Sequence, residues 1–374
     1  MAILPGSTLG ILGGGQLGRM FVTAARTMGY EVIVLDPDPH SPAGSMATEH
    51  VHAEYTDRHA LEHLARHCAV ITTEFENVPA EALQYLSAKL PVHPSAEALA
   101  ITQNRISEKR FIQSLGLNTS PFIAIESEED LAQVNQVVFP AIMKTATLGY
   151  DGKGQINCAT ADSVVDAYKT LKTPCVLEQR IELELEISVV LSRNEKGDCF
   201  CFPVAQNEHV NGILDVSFAP AAISDELAKK AQLAAQTIAR GLNYCGVLAV
   251  EFFVSSSGQL LVNEIAPRPH NSGHFTLDAC HCSQFEQQVR MICGLPSGDL
   301  ALHTPVAMLN ILGDVWPDQG SPAWDEVLKI EGARLHLYGK KTPRHGRKMG
   351  HINFLSTHQD LALVQLSQAR ELLR

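Results

Sequence analysis

Residues Val250 to His274 read VEFFVSSSGQLLVNEIAPRPHNSGH, and the fold turns on how this stretch is read. Two apolar runs, LAVEFFV and QLLVNEI, flank a Ser/Gly turn, which predicts a β-hairpin. Each run carries one carboxylate where the pattern asks for an apolar side chain, Glu251 and Glu264. A tight turn centred on Ser257-Gly258 sets these two residues directly opposite each other. Like charges opposed across a ladder destabilise it, and unpaired buried carboxylates cost more still. The arrangement makes sense if a cation sits between them. Oxygen-only donors point to a hard cation, and Mg²⁺ takes one or two carboxylates and fills its shell with phosphate oxygens and water. A surface hairpin whose glutamates face water is the alternative. It ranks second, because Leu260 and Val262 share the face of Glu264 while Asn263 takes the other. Beyond the hairpin, Arg268, His270, Asn271, Ser272 and His274 crowd a loop punctuated by proline and glycine. A dense polar loop next to a carboxylate pair marks a candidate active site.

Working towards the N-terminus, the helix SDELAKKAQLAAQTIARGL begins at Ser224 as its cap and closes at Gly241. Before it, FPVAQNEHVNGILDVS reads as a strand pair carrying His209. The run ELELEISVV alternates Glu182, Glu184 and Glu186 with apolar residues, as a strand with one wet face does. Most of that face is expected to be solvated, though one carboxylate could hold ribose hydroxyls. Further back, FPAIMKT is a strand bearing Lys144, followed by the loop ATLGYDGKGQ. Gly149, Gly152 and Gly154 flanked by Lys144 and Lys153 suit a polyphosphate, since glycine amides approach closely and lysines neutralise charge. No G-K-[ST] opens a helix, so this is not a Walker A loop. The helix expected over Ser95 to Leu115 carries Arg105 and Lys109 on what reads as a solvated face.

The chain opens with a strand, Thr8 to Leu12, then GGGQLG and a helical run, with a second strand ending at Asp36. This fits G-x-G-x-x-G with an acid about 20 positions on, so a dinucleotide site and an NAD-dependent dehydrogenase are legitimate hypotheses. Such a helix N-terminus serves the phosphate of a smaller ligand equally well, with Gln16 and Arg19 at hand. Glu74 and Glu76 follow the strand AVITTEF, at the end where parallel sheets bind ligands. Near the C-terminus, short strands flank a basic segment with Lys340, Lys341, Arg344, Arg347 and Lys348, the best candidate for holding a substrate phosphate.

Bulk properties narrow the field. A net charge of −12 argues against a general nucleic-acid binder. No apolar run reaches the roughly 18 residues that span a bilayer, and the N-terminus enters a strand without a signal-peptide pattern. Nine scattered cysteines lack any C-x-x-C pair, and Cys280-His281-Cys282 has no second ligand pair. A cytoplasmic protein with reduced thiols is expected.

Together these features resemble the ATP-grasp superfamily: a lysine strand, a glycine loop, a linker strand pair and two late carboxylates. At the level of whole motifs, GGGQLGRM, GYDGKGQ, NEIAPRPHNSGH and YGK with GRKMGH are similar to the N5-carboxyaminoimidazole ribonucleotide synthetase family. The resemblance covers nearly all of the chain. It implies an α/β (α+β) ATP-grasp fold in three parts: a Rossmann-like pre-ATP-grasp domain over 1–95, an ATP-grasp domain over 96–298 with its glycine loop at 147–155, and a β-rich C-terminal domain over 299–374. Arg105, Lys144 and Lys153 would contact ATP phosphates under a loop of Gly149, Tyr150, Asp151, Gly152, Lys153, Gly154 and Gln155. Glu178, Gln179, Arg180 and Ile181 would bind adenine, with Glu186 on the ribose and His209 nearby. Glu251 and Glu264 would coordinate Mg²⁺ (or Mn²⁺), beside Asn263. Arg268, His270 and Asn271 would hold bicarbonate, with Asp151 a proton acceptor. Gln16, Leu17, Glu74, Asp151, Lys340, Arg347 and Lys348 would receive 5-aminoimidazole ribonucleotide. The implied enzyme is a homodimeric ligase of purine biosynthesis, with small-molecule substrates only and a downstream mutase on a separate chain. A formate-dependent glycinamide ribonucleotide transformylase is the runner-up. Leu148 departs from the family, where many members carry a second glycine, and Arg180 is an unexpected arginine.

Overall fold

The computed structural model describes residues 2–134, 139–149 and 153–374. Tyr150, Asp151 and Gly152 lie outside the described residues. The N-terminal segment forms a parallel sheet in the order Glu49–Val51, Glu31–Leu35, Thr8–Leu12, Val70–Thr73, Val92–His93. Near-continuous apolar strands such as Glu31–Leu35 are what a sheet covered on both faces requires.

The glycine turn between Thr8–Leu12 and the helix Gln16–Thr27 does not form a dinucleotide site. Asp36, the acid that would meet a ribose, is buried; it accepts the Gly14 amide at 2.7 Å and the Tyr55 hydroxyl at 2.8 Å. Glu74 sits at the helix N-terminus, accepting the amides of Gly15 at 2.5 Å and Gly18 at 2.7 Å. An anion of the protein itself therefore occupies the place where the helix would receive pyrophosphate. A Cβ on Gly15 would stand 2.4 Å from Glu74 Oε1, so the glycine is needed for this close approach. The dehydrogenase hypothesis falls on these contacts.

A small antiparallel sheet follows, in the order Phe122–Ile125, Cys175–Gln179, Ala141–Thr145, Gln155–Cys158. Val164 and Ala167 of the helix Ala161–Leu171 pack on Met143, Cys158 and Leu177 of its covered face. Strand alternation turns Lys144 to the opposite, open face. The expected helix over Ser95 to Leu115 is two helices, Ala96–Thr102 and Arg105–Ser114. The Asn104 carboxamide oxygen accepts the amides of Ile106 at 2.9 Å and Ser107 at 3.1 Å, which starts a second helix. The segment after the polar loop likewise holds two helices, Thr276–Ala279 and Gln284–Ile292, the latter capped by Ser283. Ser224 caps Asp225–Gly241 as the sequence predicts.

Among the described residues the largest sheet has nine strands, all antiparallel. It begins with the carboxylate hairpin, Gly246–Ser255 and Leu260–Ala266. It runs through Leu183–Arg193, which also pairs with the short strand Cys199–Cys201, then Ala205–Val210 and Ile213–Ala219 to Val306–Leu312, Lys348–Leu355 and Ala333–Leu337. The strands of the last segment thus continue this sheet through the pairing of Ile213–Ala219 with Val306–Leu312. Ala231, Ala235, Ile238 and Ala239 of the long helix pack on Val189, Leu248, Val250 and Phe252. Its alanine face lets the helix lie close to the sheet and leaves the other face for the site.

Candidate active site

The hairpin pairs Glu251 with Glu264, as the sequence predicts, but by a different route. On the turn side the register is one residue off that of a turn centred on Ser257-Gly258, with Phe252 opposite Val262 and Val254 opposite Leu260. A bulge between Glu251 and Phe252 absorbs the extra residue, Asn263. Asn263 therefore does not take the opposite face. It joins Glu251 and Glu264 on the wall of one cavity of about 530 Å³.

That cavity gathers most of the predicted residues from all three segments. Gln16, Leu17 and Glu74 come from the first; Arg105, Lys144, Gly149, Lys153, Gly154 and Gln155 from the small sheet and its neighbours. Glu186, His209, Arg268, His270 and Asn271 line it beside the hairpin, and Lys348 arrives from the last segment. A second cavity of about 510 Å³ shares Ile142, Lys144, Leu183 and Phe253 with it and is closed by Glu178, Gln179, Arg180 and Ile181. Lys340 stands one step behind the wall, donating to the Gln16 carboxamide oxygen and, at 2.7 Å, to the Lys348 carbonyl. Arg347 does not line the cavity; its guanidinium donates to the Thr342 carbonyl at 2.7 Å.

Several charged groups on the wall are paired with one another. Arg105 contacts Glu264 at 3.0 Å and donates to the Gly149 carbonyl at 3.3 Å, so in this structure it joins the glycine loop to the hairpin. Arg268 lies 2.6 Å and 3.5 Å from the two oxygens of Glu76. Glu76, at the strand end where the sequence expects ligands to bind, thus lines the cavity paired with Arg268. The Ser272 amide donates to His270 Nδ1 at 3.3 Å, and the Ser188 hydroxyl donates to that of Ser272, which sits 2.9 Å from the same nitrogen. This leaves the ring proton on Nε2, 3.3 Å from Glu251. Burial and the neighbouring Arg268 hold His270 well below the usual histidine range, so it is neutral. Glu251 is pushed up to about 7 by burial, with His209 pulling the other way. Burial alone would lower His209, but the hydrogen bond to Glu186 and the charge of Glu251 raise it. Asn271 is buried, and both atoms of its carboxamide lack a partner among the described residues. Such orphaned groups are costly unless a polar ligand satisfies them.

Two residues of the helix Arg105–Ser114 differ most from expectation. Glu108 and Lys109 are buried rather than on a solvated face. Glu108 accepts the Ile265 amide at 2.7 Å, fixing the edge strand next to Glu264. Burial pushes its pKa up to about 8, with Glu264 adding to the rise. A carboxyl raised in the fold is stabilising while protonated, and that contribution is lost as pH climbs from its ordinary range through about 8. Glu108→Gln keeps an acceptor for Ile265 and removes the titration. Its thermal midpoint should therefore match the parent near pH 5 and exceed it increasingly towards pH 9, as measured by melting across that range. Parallel curves would contradict the assignment. Glu178 lines the second cavity beside Gln179, Arg180 and Ile181. Its carboxylate lies between Lys144, at 3.1 Å, and Lys109, at 3.2 Å. Leu148 adopts φ +61, a left-handed conformation that costs a residue with a Cβ roughly 1–2 kcal/mol and a glycine almost nothing.

Comparison with known proteins agrees with this geometry. The family model described as an ATP-grasp domain matches residues 110–285, and a ribonucleotide synthetase preATP-grasp domain matches 6–103. A phosphoribosylaminoimidazole carboxylase C-terminal domain matches 306–365. N5-carboxyaminoimidazole ribonucleotide synthase of Bacillus subtilis (strain 168) is 44% identical over 360 residues, which cover 96% of this chain and 94% of that protein. The chain belongs to the N5-carboxyaminoimidazole ribonucleotide synthase family. A crystal structure of an ADP complex of N5-carboxyaminoimidazole ribonucleotide synthetase superposes with a TM-score of 0.93 at 42% identity, covering 99% of this chain and 97% of that one. The Aspergillus clavatus synthase in complex with ADP and 5-aminoimidazole ribonucleotide gives a TM-score of 0.90 at 30% identity, with 98% of each chain covered. The ATP-grasp fold with its pre-ATP-grasp and C-terminal parts is therefore as the sequence predicts. The formate-dependent transformylase reading is set aside.

Proposed function

We infer that the two joined cavities are where ATP, bicarbonate and 5-aminoimidazole ribonucleotide meet. The reaction is ATP-dependent carboxylation of the ribonucleotide to N5-carboxyaminoimidazole ribonucleotide, a ligase step of purine biosynthesis. The observation that carries the assignment of roles is the convergence on one wall of Lys144, the glycine loop, the Glu251–Glu264 pair and the Arg268–Asn271 loop.

In this reading the segments 1–95, 96–298 and 299–374 each contribute a wall. The second cavity takes adenine against Gln179, Arg180 and Ile181, and Glu186 faces the ribose with His209 behind it. Lys144, Lys153 and Arg105 meet the phosphates. Among the described residues no cluster of three His, Cys, Asp or Glu groups could hold a metal alone. Two facing carboxylates with a carboxamide beside them nonetheless fit a hard ion that shares its shell with phosphate oxygens. Glu251 and Glu264 would hold Mg²⁺, with Asn263 adjacent, and the ion would neutralise charge on the phosphates.

Transfer of the terminal phosphoryl group to a bicarbonate oxygen yields carboxyphosphate and ADP. Positioning and electrostatics do most of this work. Glu76 grips the Nε–Nη2 edge of Arg268 and fixes the plane of its fork. Neutral His270 and the unpartnered carboxamide of Asn271 face the same space and can satisfy the anion's oxygens. Carboxyphosphate then breaks down to CO₂ and phosphate inside a site that must exclude water. The exocyclic amine of the ribonucleotide attacks CO₂, and its proton leaves to phosphate or to a carboxylate. Asp151 has that role by resemblance and lies outside the described residues. The ribonucleotide lies against Gln16, Leu17 and Glu74, with Lys348, backed by Lys340, nearest its phosphate. A homodimer in the cytoplasm, with the product passing to a separate mutase chain, completes the reading.

Omitting each substrate in turn tests it. ADP release should require both bicarbonate and 5-aminoimidazole ribonucleotide for full rate, and formate with glycinamide ribonucleotide should give none. Equal rates with formate would overturn the assignment.

A further inference from the structure

Lys109 stands outside both cavities, yet its side chain is 1% exposed and its ammonium is held inside the protein. It lies 3.2 Å from Glu178 Oε2, the same oxygen that accepts a hydrogen bond from Lys144 at 3.1 Å. The other oxygen, Oε1, is buried without a partner, and Lys109 Nζ makes no aligned hydrogen bond. Lys109 therefore supplies charge to this oxygen rather than a directed bond. The ring of Phe122, 5.9 Å from the ammonium, closes its far side.

We propose that Lys109 is a positioning residue for ATP: by taking half of the charge of Glu178, it leaves Lys144 net cationic towards the nucleotide phosphates. The triad Lys109, Glu178 and Lys144 carries one positive charge in excess. Without Lys109 the carboxylate would be matched one to one with Lys144, and the pair would present no net charge to ATP. A buried lysine is expensive to desolvate, and a hydrophobic side chain would fill its place at lower cost if packing were the only requirement. The helix Arg105–Ser114 explains the placement, because Arg105 and Lys109 are four residues apart and share one face. One helix thus brings Arg105 to the glycine loop and Lys109 beneath the lysine strand.

The inference rests on Lys144 meeting the phosphates, and the test separates the two. Equilibrium titration with MgATP is compared for the wild type, Lys144→Met, Lys109→Met, Glu178→Gln and Lys109→Met/Glu178→Gln. Loss of one unit of charge near the phosphates should weaken MgATP binding about tenfold or more in Lys109→Met. KM for bicarbonate and for the ribonucleotide should stay within about twofold, since neither substrate faces this charge. The double variant again leaves Lys144 with one unmatched positive charge and should recover most of the lost affinity, a rescue that packing damage would not give. Wild-type affinity in Lys109→Met, with Lys144→Met impaired, overturns the role of Lys109 alone. Wild-type affinity in Lys144→Met overturns the phosphate reading and this inference with it. If Lys109→Met does not fold, the double variant decides: wild-type-like binding supports the charge account, and a tenfold loss contradicts it.

Discussion

Glu264→Gln is expected to abolish ATP turnover while the protein stays folded. The substitution keeps the size of the side chain and one acceptor oxygen, so the Arg105 contact now 3.0 Å long can persist in neutral form. It removes one of only two carboxylates that face each other across the hairpin. In the metal-free protein that pair is a like-charge contact of the kind that weakens a sheet, so its loss should not lower the melting temperature by more than a few degrees. A metal in the site supplies several kcal/mol of charge stabilisation, which at 1.36 kcal/mol per decade is about a thousandfold in rate. ADP release should fall by at least that factor, and Mn²⁺ binding followed by spin resonance in the presence of ATP should weaken in parallel. Retained turnover would refute the metal assignment of Glu251 and Glu264.

Arg268→Lys should strike bicarbonate and spare ATP. The arginine is gripped from one side by Glu76 through contacts of 2.6 Å and 3.5 Å, which fixes the plane of its fork. A lysine can keep one contact to Glu76 but has no planar fork to offer an anion at the same time. Misplacing a positioning group by about 1 Å costs about a hundredfold in rate. kcat/KM for bicarbonate should therefore drop by about that much or more, with KM for ATP within about threefold. An equal rise in both KM values would mean that Arg268 supports the whole loop rather than the anion.

These two residues also show which parts of the site a sequence can disclose. Glu251 and Glu264 were visible because a carboxylate interrupts each apolar strand, and their pairing is observed. Their register was reached through a bulge at Asn263 that no alternation rule predicts, because one extra residue flips the faces of a strand. The Gly149 and Lys153 loop, Lys144 and the Arg268–Asn271 cluster were visible for the same reason, being polar or glycine-rich interruptions of an apolar pattern. Glu108 and Lys109 were not. Charges at helical spacing usually face water, and what buries these is a tertiary contact: Glu108 with the Ile265 amide, Lys109 with Glu178. The break at Asn104 was hidden likewise, since an asparagine inside an apolar-periodic run reads as surface until its carboxamide is seen to cap a second helix. In the opening glycine motif, the sequence could not tell a ligand's phosphate from the carboxylate of Glu74 as the anion at the helix N-terminus.

The central claim is that ATP activates bicarbonate at the junction of the two cavities, and an isotope measurement addresses it most directly. Turnover with oxygen-18-labelled bicarbonate in unlabelled water should deliver one labelled oxygen to each phosphate released, because the bicarbonate oxygen that attacks the terminal phosphorus stays on it when the C–O bond of carboxyphosphate breaks. Phosphate that carries no label from bicarbonate, with ADP formed at the same rate, would contradict it.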